Sequence, residues 1–175
     1  TGLTPYINMQ KVLKVCHDFV DNFDNTFSNL LFIGQTGVGK TFLSNCIARA
    51  LMDSCHSIIY LTAGEFFDSF KSDDFKEFGS SKFDTSFFVE CDLLIIDDLG
   101  TEKASDYNFS NLFNTINERL LRRKSIIISS NLKMPDIETR YSQRIFSRLV
   151  SAYSILRLFG DDIRCMKKLS PTKRS

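Results

Sequence analysis

Between Leu30 and Thr41 an apolar stretch, Leu30-Leu31-Phe32-Ile33, runs without a spacer into Gly34-Gln35-Thr36-Gly37-Val38-Gly39-Lys40-Thr41. A sequence able to form a helix, Phe42 to Leu51, follows directly. Strand, glycine-rich loop and helix in this order leave few folds open. The glycines let successive backbone N–H groups turn inward as an anion nest, and the following helix adds the positive end of its dipole. Lys40 supplies a mobile charge for β- and γ-phosphates, and the Thr41 hydroxyl is placed to ligate Mg²⁺. Gly34, Gln35, Thr36, Gly37, Val38, Gly39, Lys40, Thr41 and Phe42 are therefore the expected phosphate-binding set.

The rest of the chain reads as alternating strands and helices. Apolar residues at Met9, Val12, Leu13, Cys16 and Phe19 recur near helical period, so a leading helix is expected over Asn8 to Phe19. Strands are expected at Asn29–Ile33, Ser57–Leu61, Asp92–Asp97, Ser125–Ser130 and Tyr153–Leu158. Helices are expected from Val38 or Gly39 to Asp53, as two pieces within Thr62–Cys91 broken near Gly79-Ser80-Ser81, over Asp106–Arg123, and as two short pieces within Met134–Val150. That alternation means a parallel sheet with right-handed crossovers and ligands at its carboxyl edge.

Every chemically suggestive residue falls at such an edge. Leu93-Leu94-Ile95-Ile96 ends in Asp97-Asp98, about fifty residues beyond the loop, as a β-α-β-α-β spacing requires. There Asp97 reads as the acid that holds Mg²⁺ and Asp98 as the base that polarises the attacking water. Asn131 follows Ile126-Ile127-Ile128-Ser129-Ser130 and could meet a γ-phosphate or orient water; turn geometry alone would also account for an asparagine there. Arg140, Arg144 and Arg148 form a series in which the last two share one helix face, where a planar fork suits phosphate oxygens. Arg164, past the fifth strand, could reach back over the site.

Other chemistries have little material. Cys16, Cys46, Cys55, Cys91 and Cys165 are odd in number and never in C-x-x-C spacing, which argues against a disulfide framework and a zinc site and fits a reducing cytoplasm. His17 and His56 are too few for a histidine metal site or a Ser-His-Asp triad. No stretch approaches the roughly 18 apolar residues of a membrane span. The chain starts at Thr1 with no basic-then-apolar leader, as expected of a piece of something longer. Net charge is +1, but from Arg140 to Ser175 nine Lys or Arg face two Asp, which hints at a polyanion contact. Phe66, Phe67, Phe70, Phe75, Phe78, Phe83, Phe87 and Phe88, with Lys71, Lys76 and Lys82 among them, could stack on bases. The helical spacing of Phe66, Phe67 and Phe70 favours core packing instead.

Taken together, Gly-Gln-Thr-Gly-Val-Gly-Lys-Thr, Leu-Leu-Ile-Ile-Asp-Asp-Leu-Gly, Ile-Ser-Ser-Asn-Leu and Gln-Arg-Ile-Phe-Ser-Arg-Leu resemble the AAA+ ATPase domain of the bacterial helicase loaders DnaC and DnaI, related to the transposition ATPase IstB. The resemblance covers about Asn29 to Lys168. It implies a three-layer α/β P-loop NTPase with a five-stranded parallel sheet, and ATP or ADP with Mg²⁺ as ligands. By it, Lys40 and Thr41 are Walker A, Asp97 and Asp98 Walker B, Asn131 sensor I, Arg148 the arginine finger with Arg144 beside it, and Arg164 sensor II. About fifteen residues follow the fifth strand, so the helical lid is expected to be missing or nearly so. Asp98 stands where many AAA+ enzymes carry glutamate, which implies slow hydrolysis. The implied organisation is a linker and leading helix at 1–28, the ATPase domain at 29–168 and a basic tail at 169–175. The implied function is a cytoplasmic, Mg-dependent ATPase that self-assembles with nucleotide around single-stranded DNA. Its partner would be a DnaB-type replicative helicase, gripped through a separate N-terminal domain. An IstB-like transposition ATPase and a nucleotide-switch module with negligible turnover are the alternatives.

Overall fold

A computed structural model describes residues 4–71 and 85–162. Helix α1 (Pro5–Asp21) starts on Thr4, whose hydroxyl accepts the Ile7 N–H at 3.3 Å, with Pro5 preset for the first turn. Strand β1 (Leu30–Ile33) feeds the glycine loop, and α2 (Lys40–Asp53) rises from it. Then come β2 (Ile58–Thr62), α3 (Ala63–Lys71), the single turn α4 (Phe87–Glu90), β3 (Leu93–Leu99) and α5 (Asp106–Leu121). The described chain closes with β4 (Ser125–Ser130), α6 (Met134–Arg140), α7 (Gln143–Ala152) and β5 (Ser154–Arg157).

All five strands are parallel, in the order β2-β3-β4-β1-β5. Alternate residues of each strand face opposite layers, so the inner strands are apolar on both sides. Leu31, Ile33, Leu94, Ile96, Ile126 and Ile128 meet the helices α3 to α7. Leu30, Phe32, Leu93, Ile95 and Ile127 meet α1 and α2. This is the three-layer arrangement expected from the alternation of elements. The aromatic run serves that packing: Phe66, Phe67 and Phe88 are buried and Phe70 packs against them. Phe87 is exposed, and Phe75, Phe78 and Phe83, with the expected break at Gly79-Ser80-Ser81, lie outside the described residues.

The far edge of the sheet is anchored by one buried cation. Arg119 of α5 is fully buried and donates to the carbonyls of Phe88 at 2.8 Å, Cys91 at 3.0 Å, Asp92 at 3.1 Å and Ser125 at 2.6 Å. Burial pulls its pKa below the ordinary arginine value, and the Cys91 thiol beside it pulls the other way. One side chain thus fixes the starts of β3 and β4, whose opposite ends carry the site. Replacing it with methionine strands several buried carbonyls. Arg119→Met is expected to cost about 3 kcal/mol, a fall of roughly 6–12 °C in Tm. Nucleotide affinity of the folded variant, measured below its transition, should stay parental.

Candidate functional site

The loop after β1 is shaped by close approaches that exclude side chains. A Cβ on Gly34 would sit 2.3 Å from the Leu158 carbonyl oxygen, and Gly37 has φ +84° with the Asp162 carboxylate packed over it. Helix α2 begins on Gly39 with no side-chain cap, the kind of helix N-terminus at which anions bind. Val38 is buried in the core against α1 and α2, while Phe42 is 70% exposed at the helix start.

Lys40, Asp97, Asp98 and Asn131 come from the tips of β1, β3 and β4, which are adjacent in the sheet. The Lys40 Nζ is buried and donates to the carbonyls of Gly34 at 2.7 Å and Gln35 at 2.9 Å, and to Asn131 Oδ1 at 2.6 Å. The Asn131 amide in turn donates to Asp98 Oδ1 at 3.4 Å. Cation, amide and carboxylate therefore form one continuous chain across the sheet edge. Asparagine at this point is more than a turn residue, since both ends of its amide are engaged by site residues.

The two aspartates differ. Asp97 is 4% exposed, and its carboxylate accepts the Tyr60 hydroxyl from β2 at 2.9 Å and the Ser129 hydroxyl from β4. Asp98 has φ +56° and is half-buried at the mouth of the cavity. Its N–H donates to Ser129 Oγ at 3.0 Å, where the pairing of β3 with β4 slips between Ile96 and Leu99. That bulge re-aims the second carboxylate instead of ending the strand, which resumes at Leu99 opposite Ser130. Burial, followed by the bond to Asp97, pushes the Tyr60 hydroxyl well above the ordinary tyrosine range, so it keeps its proton.

A cavity of about 780 Å³ opens over this edge. Thr36, Gly37, Lys40, Thr41, Asp98 and Asn131 line its polar half, and Met9 and Leu13 of α1 with Phe42 supply an apolar wall. Gln35 faces a separate cavity of about 580 Å³ on the other flank of the loop. Among the described residues no group of three or more His, Cys, Asp or Glu is placed to hold a metal ion. A Thr41 hydroxyl and one strand-tip carboxylate are hard oxygen donors that suit Mg²⁺, which completes its shell with phosphate and water rather than with a protein cage.

The arginines are sorted by their surroundings. Arg140 is committed: its guanidinium bonds the Glu102 carbonyl and lies 3.5 Å from Glu102 Oε1, a carboxylate that also accepts from Tyr141. Arg144 and Arg148 point to solvent from α7 and do not line the cavity of their own chain. Arg164, with the question of the lid, lies outside the described residues. Sequence reading missed Tyr60, Ser129 and Glu102. Two buried serines closing an Ile-rich strand were a signal for Ser129, because buried hydroxyls in such a place need partners.

Comparison with known proteins bears on this geometry. Residues 9–170 match the profile of the family described as IstB-like ATP binding protein. The chain belongs to that family. It is 23% identical over 151 residues to the replicative helicase loader DnaC of Escherichia coli K12, covering 86% of this chain and 61% of that protein. The chain thus spans about three-fifths of the length of such relatives. Among solved structures it resembles the crystal structure of the DnaC helicase loader (TM-score 0.76, 22% identity, 87% of this chain and 91% of that one). It also resembles AMPPCP-bound DnaA from Aquifex aeolicus (TM-score 0.77, 20% identity, 96% and 51%). The sheet is that of an AAA+ P-loop NTPase, as the motif series implied, and the family is one of ATP-binding proteins. No helix among the described residues is long and apolar enough to cross a membrane.

Proposed function

We propose that this chain is the ATPase unit of a protein that loads a replicative helicase onto single-stranded DNA, working as a nucleotide-dependent homo-oligomer in the cytoplasm. The observation that carries the reading is the chain of bonds Lys40–Asn131–Asp98 at the rim of a cavity with one polar and one apolar half. A triphosphate with a planar base attached fits such a division. The apolar wall of Met9, Leu13 and Phe42 would take the base, and the glycine loop from Gly34 to Thr41 the phosphates.

In this reading Lys40 neutralises the β- and γ-phosphates and Asn131 bonds a γ-phosphate oxygen. Thr41 and Asp97 would hold Mg²⁺, which supplies charge neutralisation across the phosphates when bound. Asp98, aimed at the cavity by its bulge, orients and deprotonates the attacking water. Arg148, with Arg144 beside it, projects away from its own cavity, as a residue acting on a neighbour's nucleotide must. Arg164 is proposed to reach the nucleotide from beyond β5. A carboxylate one methylene shorter than glutamate at position 98 makes turnover slow.

The IstB-like family match favours a second reading, in which the same ATPase serves a transposase. The client decides between them. Full-length protein purified from its host with ATP is expected to retain a DnaB-type helicase. Recovery of a transposase instead would establish the second reading. ATP turnover by this chain is expected to rise with protein concentration and on addition of single-stranded DNA. Negligible turnover under all of these conditions would reduce the nucleotide to a switch ligand.

A further inference from the structure

Asp97 is gripped from both sides. The Tyr60 hydroxyl donates to its Oδ2 at 2.9 Å and the Ser129 hydroxyl to its Oδ1. Register explains the reach. Tyr60 pairs with Ile95, two residues before Asp97 and on the same face of β3, while Ser129 pairs with Phe32 on the face that α2 covers. Both donors therefore lie on the side of the sheet from which the Lys40–Thr41 helix rises.

An aspartate carboxylate turns over a broad, soft torsion unless something holds it. Here one hydrogen bond on each oxygen fixes its plane and leaves each oxygen a second lone pair. Orientation matters for Mg²⁺, which demands near-octahedral geometry and tolerates misplaced oxygens poorly. Filling the space against α1 and α2 requires only the ring of Tyr60, and phenylalanine would serve for that. The hydroxyl has a different task.

We propose that Tyr60 is a positioning residue for the divalent cation: its hydroxyl, opposite Ser129, holds the Asp97 carboxylate in the orientation that serves Mg²⁺ on a bound nucleotide. The inference rests on the reading of Asp97 as the metal-holding acid. In this role Tyr60 acts through Asp97, to which its hydroxyl donates.

The test is calorimetric titration of the whole chain with ADP, in EDTA and at graded Mg²⁺. Tyr60→Phe is expected to bind ADP in EDTA within about twofold of the parent, yet to need roughly tenfold more Mg²⁺ to reach half of its metal-dependent gain in affinity. An unchanged Mg²⁺ midpoint in Tyr60→Phe overturns the assignment. Should that variant lose affinity in EDTA as well, Tyr60→Leu is measured: a shifted midpoint supports the proposal and a parental one overturns it. A parent that binds ADP equally well with and without Mg²⁺ would instead refute the role given to Asp97, which separates the two failures.

Discussion

Lys40→Ala is expected to weaken nucleotide binding by at least about 100-fold, close to 2.7 kcal/mol, and to abolish hydrolysis in the folded variant. The magnitude follows from the worth of a hydrogen bond to a charged group, roughly 1.5–3 kcal/mol. The placement follows from the structure: the Lys40 ammonium is buried between the loop carbonyls of Gly34 and Gln35 and the amide of Asn131. A phosphate cradled there would meet the cation and the asparagine together. Removing the cation leaves the glycine nest and the α2 N-terminus to bind alone, without a charge to offset that of the γ-phosphate. Equilibrium dialysis with labelled ATP reads the first effect and phosphate release the second. Parental affinity in Lys40→Ala would mean that nucleotide binds elsewhere.

Arg148→Ala is expected to lower turnover by roughly two orders of magnitude or more and to leave nucleotide affinity within about twofold. The two effects separate because Arg148 is exposed on α7 and takes no part in the cavity of its own chain. An added subunit of Lys40→Ala, which carries an intact Arg148, should restore part of the rate by donating the guanidinium to the variant's nucleotide. Arg144→Ala should have the smaller effect of a neighbour one turn away. Hydrolysis by Arg148→Ala at the parental rate would remove the in-trans role. Arg140 is unsuited to that role, since Glu102 already occupies its guanidinium.

The sheet was legible because its signals are local. Apolar runs of four to six residues, each followed by a helix-compatible stretch, gave every strand to within two residues at either end. The glycine loop and its helix were legible for the same reason, since their geometry is fixed by adjacent residues. What was not legible depends on register. Asp-Asp-Leu-Gly reads as a strand end and a turn, yet a bulge lets β3 rejoin β4 at Leu99, and only that slip shows how Asp98 is aimed at the cavity. Tyr60 is one of several apolar residues in its strand until the pairing with Ile95 brings its hydroxyl to Asp97. Arg119 carries no mark of its own within the helix expected over Asp106–Arg123. Its burial follows from the carbonyls of Phe88, Cys91, Asp92 and Ser125, three of them far away in sequence, which no periodicity announces.

The account stands on the claim that the loop carrying Lys40 and the strand tip carrying Asp97 serve one metal-bound nucleotide. Calorimetry of the parent and of Asp97→Asn, each titrated with ATP in EDTA and then in Mg²⁺, tests it directly. The prediction is saturable binding by both proteins in EDTA at similar affinity, tightened by Mg²⁺ in the parent and not in the variant. Absence of saturable heat in the parent, or an undiminished response to Mg²⁺ in Asp97→Asn, would contradict it.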